Sequence, residues 1–140
     1  MWMIYAALSS VTAALVAVFA KIGLREVDAT VATVIRGIIM ATILTLGAVA
    51  FGKFKGFSVT DLSGKAWLFV LLAAFAGAAS WLFYFIALKG GPAGTVAVID
   101  KMSVVLVLIL AALFLGESFT IKSAIGAVLL ALGGLLIVLK

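Results

Sequence analysis

Two adjacent charged residues, Asp100 and Lys101, stand inside an apolar stretch that runs from residue 92 to residue 115. An acid beside a base can bind a proton or a charged solute. Each charge also costs about 2.5–3.5 kcal/mol at the centre of a helix that crosses a bilayer. A further charge, Arg36, interrupts another apolar stretch. We expect a chain that carries such charges to have a use or a partner for them.

The residue types that support most enzyme chemistry are missing from this chain. It contains no histidine and no cysteine, which removes thiolate chemistry, disulfides, imidazole metal sites and the usual general base. Ser103 and Lys101 are two residues apart, so on one helix they point to different sides and form no catalytic dyad. The sequence therefore predicts no enzyme, no cofactor and no metal site.

The composition identifies lipid as the surrounding medium. Of 140 residues, 67% are hydrophobic and 11% are charged, whereas about 25% are charged in soluble domains. The polar residues are too few to cover the surface of a soluble protein. The ten Lys and Arg residues are spread thinly, and without a clustered basic face the chain is not expected to bind nucleic acid.

Five apolar segments are long enough to cross a hydrocarbon core of about 30 Å as helices. They cover residues 2–20, 29–52, 66–88, 92–115 and 123–139. The first is not a signal peptide by pattern, because no Lys or Arg precedes it. Thr60 or Asp61 is predicted to cap a short surface helix before the third span. The sequence predicts an all-α, multi-pass membrane protein with five transmembrane helices in one domain, residues 1–140.

Polar and aromatic side chains recur on one face of some spans. Ser9 and Thr12 share a face of the first span, and Trp81 and Tyr84 share a face of the third. Two interpretations stay open for both pairs: ordinary helix packing, or the lining of a polar path. In the second, Trp81 and Tyr84 could also stack on a cation or planar ligand. Arg36 either extends toward the nearer membrane surface or faces inward and meets an acid.

Asp100 and Lys101 are predicted to lie about 4–5 Å from the middle of the fourth span. Adjacent helical residues do not face each other, so we expect Asp100 not to pair with its own Lys101. Its partner would be Arg36 or the Lys101 of an inverted second copy. Such a pair is either a structural clamp or a site for substrate or protons.

Lys and Arg are evenly divided between the two faces of the predicted bundle. The face that holds the amino terminus has Lys53, Lys55, Lys65 and Lys122, and the opposite face has Lys21, Arg25, Lys89 and Lys140. An excess of these residues sets orientation, and neither face has one unless Arg36 counts toward the second. We expect insertion in both orientations and antiparallel pairing, which would supply the second of two inverted repeats around a midplane site.

The second half of the sequence resembles the EamA-type domain of the drug/metabolite transporter superfamily. The resemblance lies in residues 87–94 (Ala-Leu-Lys-Gly-Gly-Pro-Ala-Gly), Ser103, residues 113–117 (Leu-Phe-Leu-Gly-Glu) and the glycine-bearing last helix. It implies an inner-membrane carrier for small metabolites or drugs in a prokaryote, with helices around a central cavity. Most relatives join two such domains in opposite orientation, so this chain corresponds to half of their ten-helix fold. Gly126 and Gly133 are similar to the glycines through which small multidrug exporters dimerise.

The sequence departs from that family at three places. Asp100 and Lys101 stand where relatives often have small uncharged residues. Val104 replaces a common proline, which puts a kink in the fourth span in doubt. The first span lacks the carboxylate with which small multidrug exporters exchange protons, so Asp100 would be the intramembrane acid for any proton coupling.

The leading hypothesis is a carrier that works by alternating access as an antiparallel homodimer. Its charged centre would be Arg36, Asp100 and Lys101, and its path would be lined by Ser9, Thr12, Trp81, Tyr84 and Ser103. Lys89 and Glu117 are predicted to anchor helix ends. A dual-topology ion channel and an assembly subunit that transports nothing are the alternatives, and an intramembrane enzyme is the weakest one.

Overall fold

A computed structural model of the chain describes residues 1–58 and 62–139. Every regular element in these ranges is helical. The elements are α1 (Trp2–Gly23), α2 (Ala29–Ala50), α3 (Gly64–Gly90), α4 (Ala93–Lys101), α5 (Ser103–Leu110), a π-helical turn (Ala111–Leu115) and α6 (Ile121–Val138). In the described part of the chain, five helical segments are long and apolar enough to cross a membrane, the fourth being Ala93–Leu115. The predicted all-α fold with five transmembrane helices is confirmed.

Several helices extend past the apolar runs that predicted them. α1 includes Lys21, and α3 includes both Lys65 and Lys89. A lysine near a helix end can place its ammonium group in water while its alkyl stem stays against apolar surface. The helix therefore need not end where the apolar run ends. Thr60 and Asp61, the predicted caps of a short surface helix, lie outside the described residues.

Side-chain oxygens cap the starts of α2 and α6. Asp28 Oδ1 accepts hydrogen bonds from the amides of Thr30 at 2.8 Å and Val31 at 3.2 Å. The bonds from Val31 and Thr30 hold the pKa of Asp28 below its ordinary value, because they favour the charged carboxylate. Thr120 Oγ1 accepts a bond of 3.1 Å from the Ser123 amide. These bonds satisfy amide donors that the first helical turn leaves without a partner.

The fourth span is interrupted for one residue at Met102, between α4 and α5. The Met102 amide bonds the Ile99 carbonyl at 3.0 Å, and the Val105 amide bonds the Met102 carbonyl at 3.1 Å. Both bonds skip three residues rather than four, so the helix is locally tightened toward 3₁₀ geometry. Val104 was expected to put a kink in doubt because it replaces a proline. The structure shows an irregularity at this place that needs no proline.

Gly116 ends the fourth span. Its φ of 69° is left-handed, a conformation that glycine adopts without steric cost. The Glu117 amide then reaches back to the Ala111 carbonyl at 3.3 Å, across the π-helical turn. This closure satisfies a carbonyl at the helix end in the manner of a glycine C-cap. The fourth helical segment therefore ends at Leu115.

The chain divides into two compact units. Unit 1 comprises Met1–Val18 and Gly90–Lys140, and unit 2 comprises Phe19–Lys89. Within unit 1, α6 packs against α4 and α5. Gly134 is the point of closest approach, since a Cβ there would lie 2.9 Å from Met102 Cε and 3.1 Å from Val98 Cγ1. The absence of a side chain at Gly134 therefore allows α4 and α6 to pack.

Gly126 and Gly133 lie on a different side of α6 from this contact. Nothing in the described chain lies within 4 Å of a Cβ placed at either residue. Ala127 and Gly134, each one residue further along, are buried, and successive helical residues are about 100° apart around the axis. α6 thus buries one face within unit 1 and leaves the neighbouring glycine face open. The prediction that this face packs against a second copy stays a prediction.

We predict that Gly134→Val lowers the thermal unfolding midpoint of the detergent-solubilised protein by several degrees. The valine would overpack the contact with Val98 and Met102, a change that typically costs about 1–3 kcal/mol. Gly47→Val is the matched control, because a Cβ at Gly47 has nothing within 4 Å in the described chain. Helical circular dichroism recorded during heating measures both variants. Equal midpoints would contradict the packing role of Gly134.

Candidate functional site

Two lysines hold the end of α3 in unit 2: Lys21, in the last turn of α1, and Lys89, in α3 itself. Lys21 Nζ donates to the Leu88 carbonyl at the end of α3. Lys89 Nζ donates to the Val27 carbonyl at 2.9 Å, just before α2 begins. Leu88 is fully buried. The end of α3 is therefore held beside the start of α2, and the predicted anchoring role of Lys89 is confirmed.

The guanidinium of Arg36 lies over the ring of Trp81. Its Cζ is 3.5 Å from the Trp81 ring centroid and 5.4 Å from that of Phe85. A guanidinium reaches 3.5 Å only when it lies roughly flat on the ring, since a nitrogen pointing at the ring would clash with it. A cation over an indole face gains about 0.5–2 kcal/mol, with the larger values when water is excluded. Arg36 thus finds compensation from an aromatic ring.

Of the two interpretations left open for Arg36, the position of the guanidinium favours the inward one over extension toward the nearer surface. Arg36 lies about 10 Å along α2 from its start, and on α3 Phe85 and Trp81 lie about 8 Å and 14 Å from the end, at 1.5 Å per residue. The start of α2 and the end of α3 are adjacent, so Trp81 is the deeper ring. The guanidinium is closer to Trp81 than to Phe85. The side chain therefore points toward the interior of the span.

Three rings form one aromatic cluster on α3. Trp81 meets Tyr84 at 5.8 Å and Phe85 at 5.9 Å between centroids, both nearly edge to face, and Tyr84 and Phe85 are 6.4 Å apart. Edge-to-face rings attract each other because a positive edge meets a negative face. Phe85 is 3% exposed. The cluster holds the indole in place as a platform for Arg36.

The structure corrects one expectation and adds one residue. Arg36 was expected to meet an acid if it faced inward, but in unit 2 its charge meets Trp81 instead. Among the described residues of that unit, none accepts a hydrogen bond from its guanidinium. Phe85 was not predicted as part of the site. Its spacing of four residues from Trp81 was the signal, because such residues are neighbours on a helix surface.

Asp100 pairs with its own Lys101, contrary to expectation. Lys101 Nζ lies 3.3 Å from Asp100 Oδ2, with the lysine side chain 57% exposed and the aspartate 36% exposed. The Cβ atoms of adjacent residues diverge, but the four-carbon stem of lysine is long enough to fold back to the carboxylate. No group of acids in the described chain is placed to hold a metal ion.

The predicted hydroxyl residues belong to unit 1 and are exposed at the surface of a single copy. Thr12 Oγ1 donates to the carbonyls of Leu8 at 2.9 Å and Ser9 at 3.0 Å, within its own helix. Ser103 is the first residue of α5. The structure thus brings Arg36, Trp81 and Tyr84 together in unit 2 and joins Asp100 to Lys101 in unit 1. A role of these residues in binding a solute stays a prediction.

Comparison with known proteins identifies relatives over nearly the whole chain. Residues 1–139 match the model of the EamA-like transporter family. A protein of Sinorhizobium sp. described as "Uncharacterized transporter in cobO 3'region" is 40% identical over 136 residues, which cover 97% of this chain and 95% of that protein. No solved structure matches the chain. The resemblance drawn from the sequence is confirmed.

We predict a favourable coupling of about 0.5–2 kcal/mol between Arg36 and Trp81, the range for a cation over an indole. It is measured as the non-additivity of unfolding free energies among wild type, Arg36→Gln, Trp81→Leu and the double variant in bicelles. The matched control cycle replaces Trp81→Leu by Phe69→Leu, an α3 residue that is 59% exposed. We expect its coupling to be near zero. Equal coupling in the two cycles would contradict the stack.

Proposed function

This chain belongs to the EamA-like transporter family, and from that membership we propose that it carries a small metabolite or drug-like solute by alternating access as an antiparallel homodimer. Its family and the five described helical segments that are long and apolar enough to cross a membrane identify it as a multi-pass membrane transporter. The proposal concerns how one five-helix domain encloses a solute. The Sinorhizobium relative has nearly the same length, which supports a path assembled from two separate copies.

The observation that carries the proposal is the exposure of the Asp100–Lys101 pair on a single copy. The two side chains are 36% and 57% exposed within a membrane span. Charges in contact with lipid tails are costly, and intramembrane charges normally face a bundle interior or a water-filled cavity. A second copy placed over this surface would exclude lipid from the pair. Asp100, Lys101 and Ser103 would then line an enclosed path.

The even division of Lys and Arg supports an inverted arrangement of the two copies. With five spans, four of these residues fall on one face and four on the other. Such a chain has no strong preference for either orientation. Paired copies in opposite orientation have the symmetry of the inverted repeats around a midplane site in many transporters.

The glycine face of α6 fits an antiparallel contact. α6 runs from Ile121 to Val138, so Gly126 and Gly133 are equally far from its centre. If two copies of α6 cross antiparallel at their centres, Gly126 of one copy lies opposite Gly133 of the other. In a parallel pair each glycine would lie opposite itself. Small residues at such a contact allow close helix approach.

Alternating access requires no dedicated gate in this arrangement. When the copies exchange conformations, an inward-facing antiparallel dimer becomes an equivalent outward-facing one. Arg36, Trp81 and Tyr84 of unit 2 and Ser9 and Thr12 of unit 1 are the remaining residues proposed for the path. The proposed location is the cytoplasmic (inner) membrane of a prokaryote, which the bacterial relative supports.

We predict that Gly126→Cys and Gly133→Cys copies form a disulfide with each other and not with themselves. The chain has no cysteine of its own, so two differently tagged single-cysteine variants can be co-expressed and oxidised in native membranes. The bond forms because an antiparallel contact brings the two positions together, and a disulfide needs Cα atoms about 4.4–6.8 Å apart.

Val128→Cys and Leu135→Cys are the matched control. They have the same seven-residue spacing but lie about 200° further around α6, and both are exposed, at 57% and 51%. We expect no band from this pair. A dominant bond between identical positions at Gly126 or Gly133 would indicate a parallel dimer and contradict the antiparallel arrangement. No bond from any glycine pair would remove the proposed α6 interface.

A further inference from the structure

We propose that the Arg36–Trp81 stack is a binding site for an oxyanion, and that the cargo therefore carries a carboxylate or phosphate group. This inference rests on the proposed transport function, because it assigns the substrate class of the same path. It is carried by the geometry of the stack and by the balance of charges within the spans.

The charges in the interior of the spans add up to one net positive charge. Among the described residues, those more than one turn from a span end include three charges: Arg36, Asp100 and Lys101. Asp100 and Lys101 form an ion pair of 3.3 Å and together are neutral. Arg36 remains. The ring contact offsets only part of the cost of a charge at this depth. An anionic group bound there would therefore stabilise the protein, whereas a cation would add to the net positive charge.

The stack leaves the guanidinium able to bind an anion. A guanidinium lying flat on Trp81 at 3.5 Å directs its N–H bonds sideways, out of the stack. Arginine has five such donors. In unit 2 no described residue accepts a hydrogen bond from them. Two parallel N–H bonds match the oxygens of a carboxylate or phosphate, which is the strongest form of hydrogen-bonded recognition available to arginine.

The same geometry argues against a cationic cargo on this platform. Organic cations bind proteins by lying over an aromatic face, and Arg36 already occupies a face of Trp81. Phe85 beside it is buried, at 3% exposure. A second cation would meet both a covered ring and a like charge. An anion instead pairs with the arginine and leaves the ring contact intact.

The binding test uses Trp81 as its own reporter. The chain has Trp2, Trp67 and Trp81, so Trp2→Phe and Trp67→Phe leave a single indole in contact with the guanidinium. This protein in phosphatidylcholine nanodiscs is titrated with benzoate, malonate, glutamate, inorganic phosphate and glycerol phosphate, and separately with choline, tetraphenylphosphonium and sucrose. We expect a saturable change in Trp81 emission with at least one carboxylate or phosphate and with none of the other probes.

Variants at Arg36 connect the signal to the guanidinium. Arg36→Gln should weaken oxyanion binding about 10- to 100-fold, the loss expected for a hydrogen-bonded charge pair. The oxyanion affinity of Arg36→Lys should lie between those of the wild type and Arg36→Gln, because lysine keeps the charge and loses the two-bond geometry. If Arg36→Gln fails to fold, the thermal stability of the wild type is measured instead. A ligand that binds the folded state raises its stability, so stabilisation by oxyanions but not by cations would also show selective oxyanion binding.

Three results would overturn the proposal: no saturable response to any oxyanion, an equal response in folded Arg36→Gln, or a response to cations alone. Nanodiscs with added phosphatidylglycerol test the lipid as the source of the anion. If the anionic lipid alone gives the Arg36-dependent signal and abolishes the response to soluble anions, the site binds headgroups and the cargo assignment is wrong.

Failure of this inference and failure of the proposed function are distinguishable by uptake into liposomes. Saturable uptake of tetraphenylphosphonium or choline, unaffected by oxyanions, would support the carrier function and contradict the oxyanion site. Arg36-dependent oxyanion binding without uptake of the bound probe would keep the site and contradict the carrier. Uptake of a bound oxyanion that is lost in Arg36→Gln supports both.

Discussion

A charge inside an apolar span must be covered by something other than lipid, and this constraint governs the molecule. The chain belongs to a family of membrane transporters, yet the part of it that the structure describes retains three charges in the interior of its spans. Each is costly in contact with hydrocarbon tails. The two units of the structure surround these charges in different ways.

Unit 2 covers its charge within one copy. Lys89 holds the end of α3 beside the start of α2, and Lys21 ties that end to α1. The position of α3 places Trp81 under Arg36. Unit 1 leaves its charges at the surface, because Asp100 and Lys101 pair with each other but stay 36% and 57% exposed. Arg36 has its aromatic partner within one copy, while the ion pair of unit 1 requires a covering surface. An inverted second copy is the proposed cover, and the open glycine face of α6 is its proposed contact.

The sequence predicts the fold well because the relevant physics is local. A span is recognised from about 20 consecutive apolar residues, and no long-range packing is needed to place it. The family is equally visible, since the residues from Lys89 to Glu117 form a block whose end is fixed by the left-handed Gly116. The anchoring role of Lys89 follows in the same way from its place at a helix end.

The site is predicted less well because it depends on contacts between helices. Arg36 was expected to meet an acid, and only the register of α3 shows that it meets Trp81. Spacing alone suggested that Asp100 and Lys101 diverge, but side-chain length decides that they pair. Gly133 and Gly134 are adjacent and alike in sequence, and only the approach of Met102 distinguishes the packed glycine from the open one.

Paired reporters fused after Lys140, one active only in the cytoplasm and one only outside it, measure the dual insertion on which this account depends. Wild type should give comparable signals from both. The face richer in Lys and Arg stays in the cytoplasm. Arg25→Ala should therefore increase the signal of the reporter active outside, and Lys53→Ala should increase that of the cytoplasmic reporter. A one-sided wild-type signal that neither substitution moves would contradict the account.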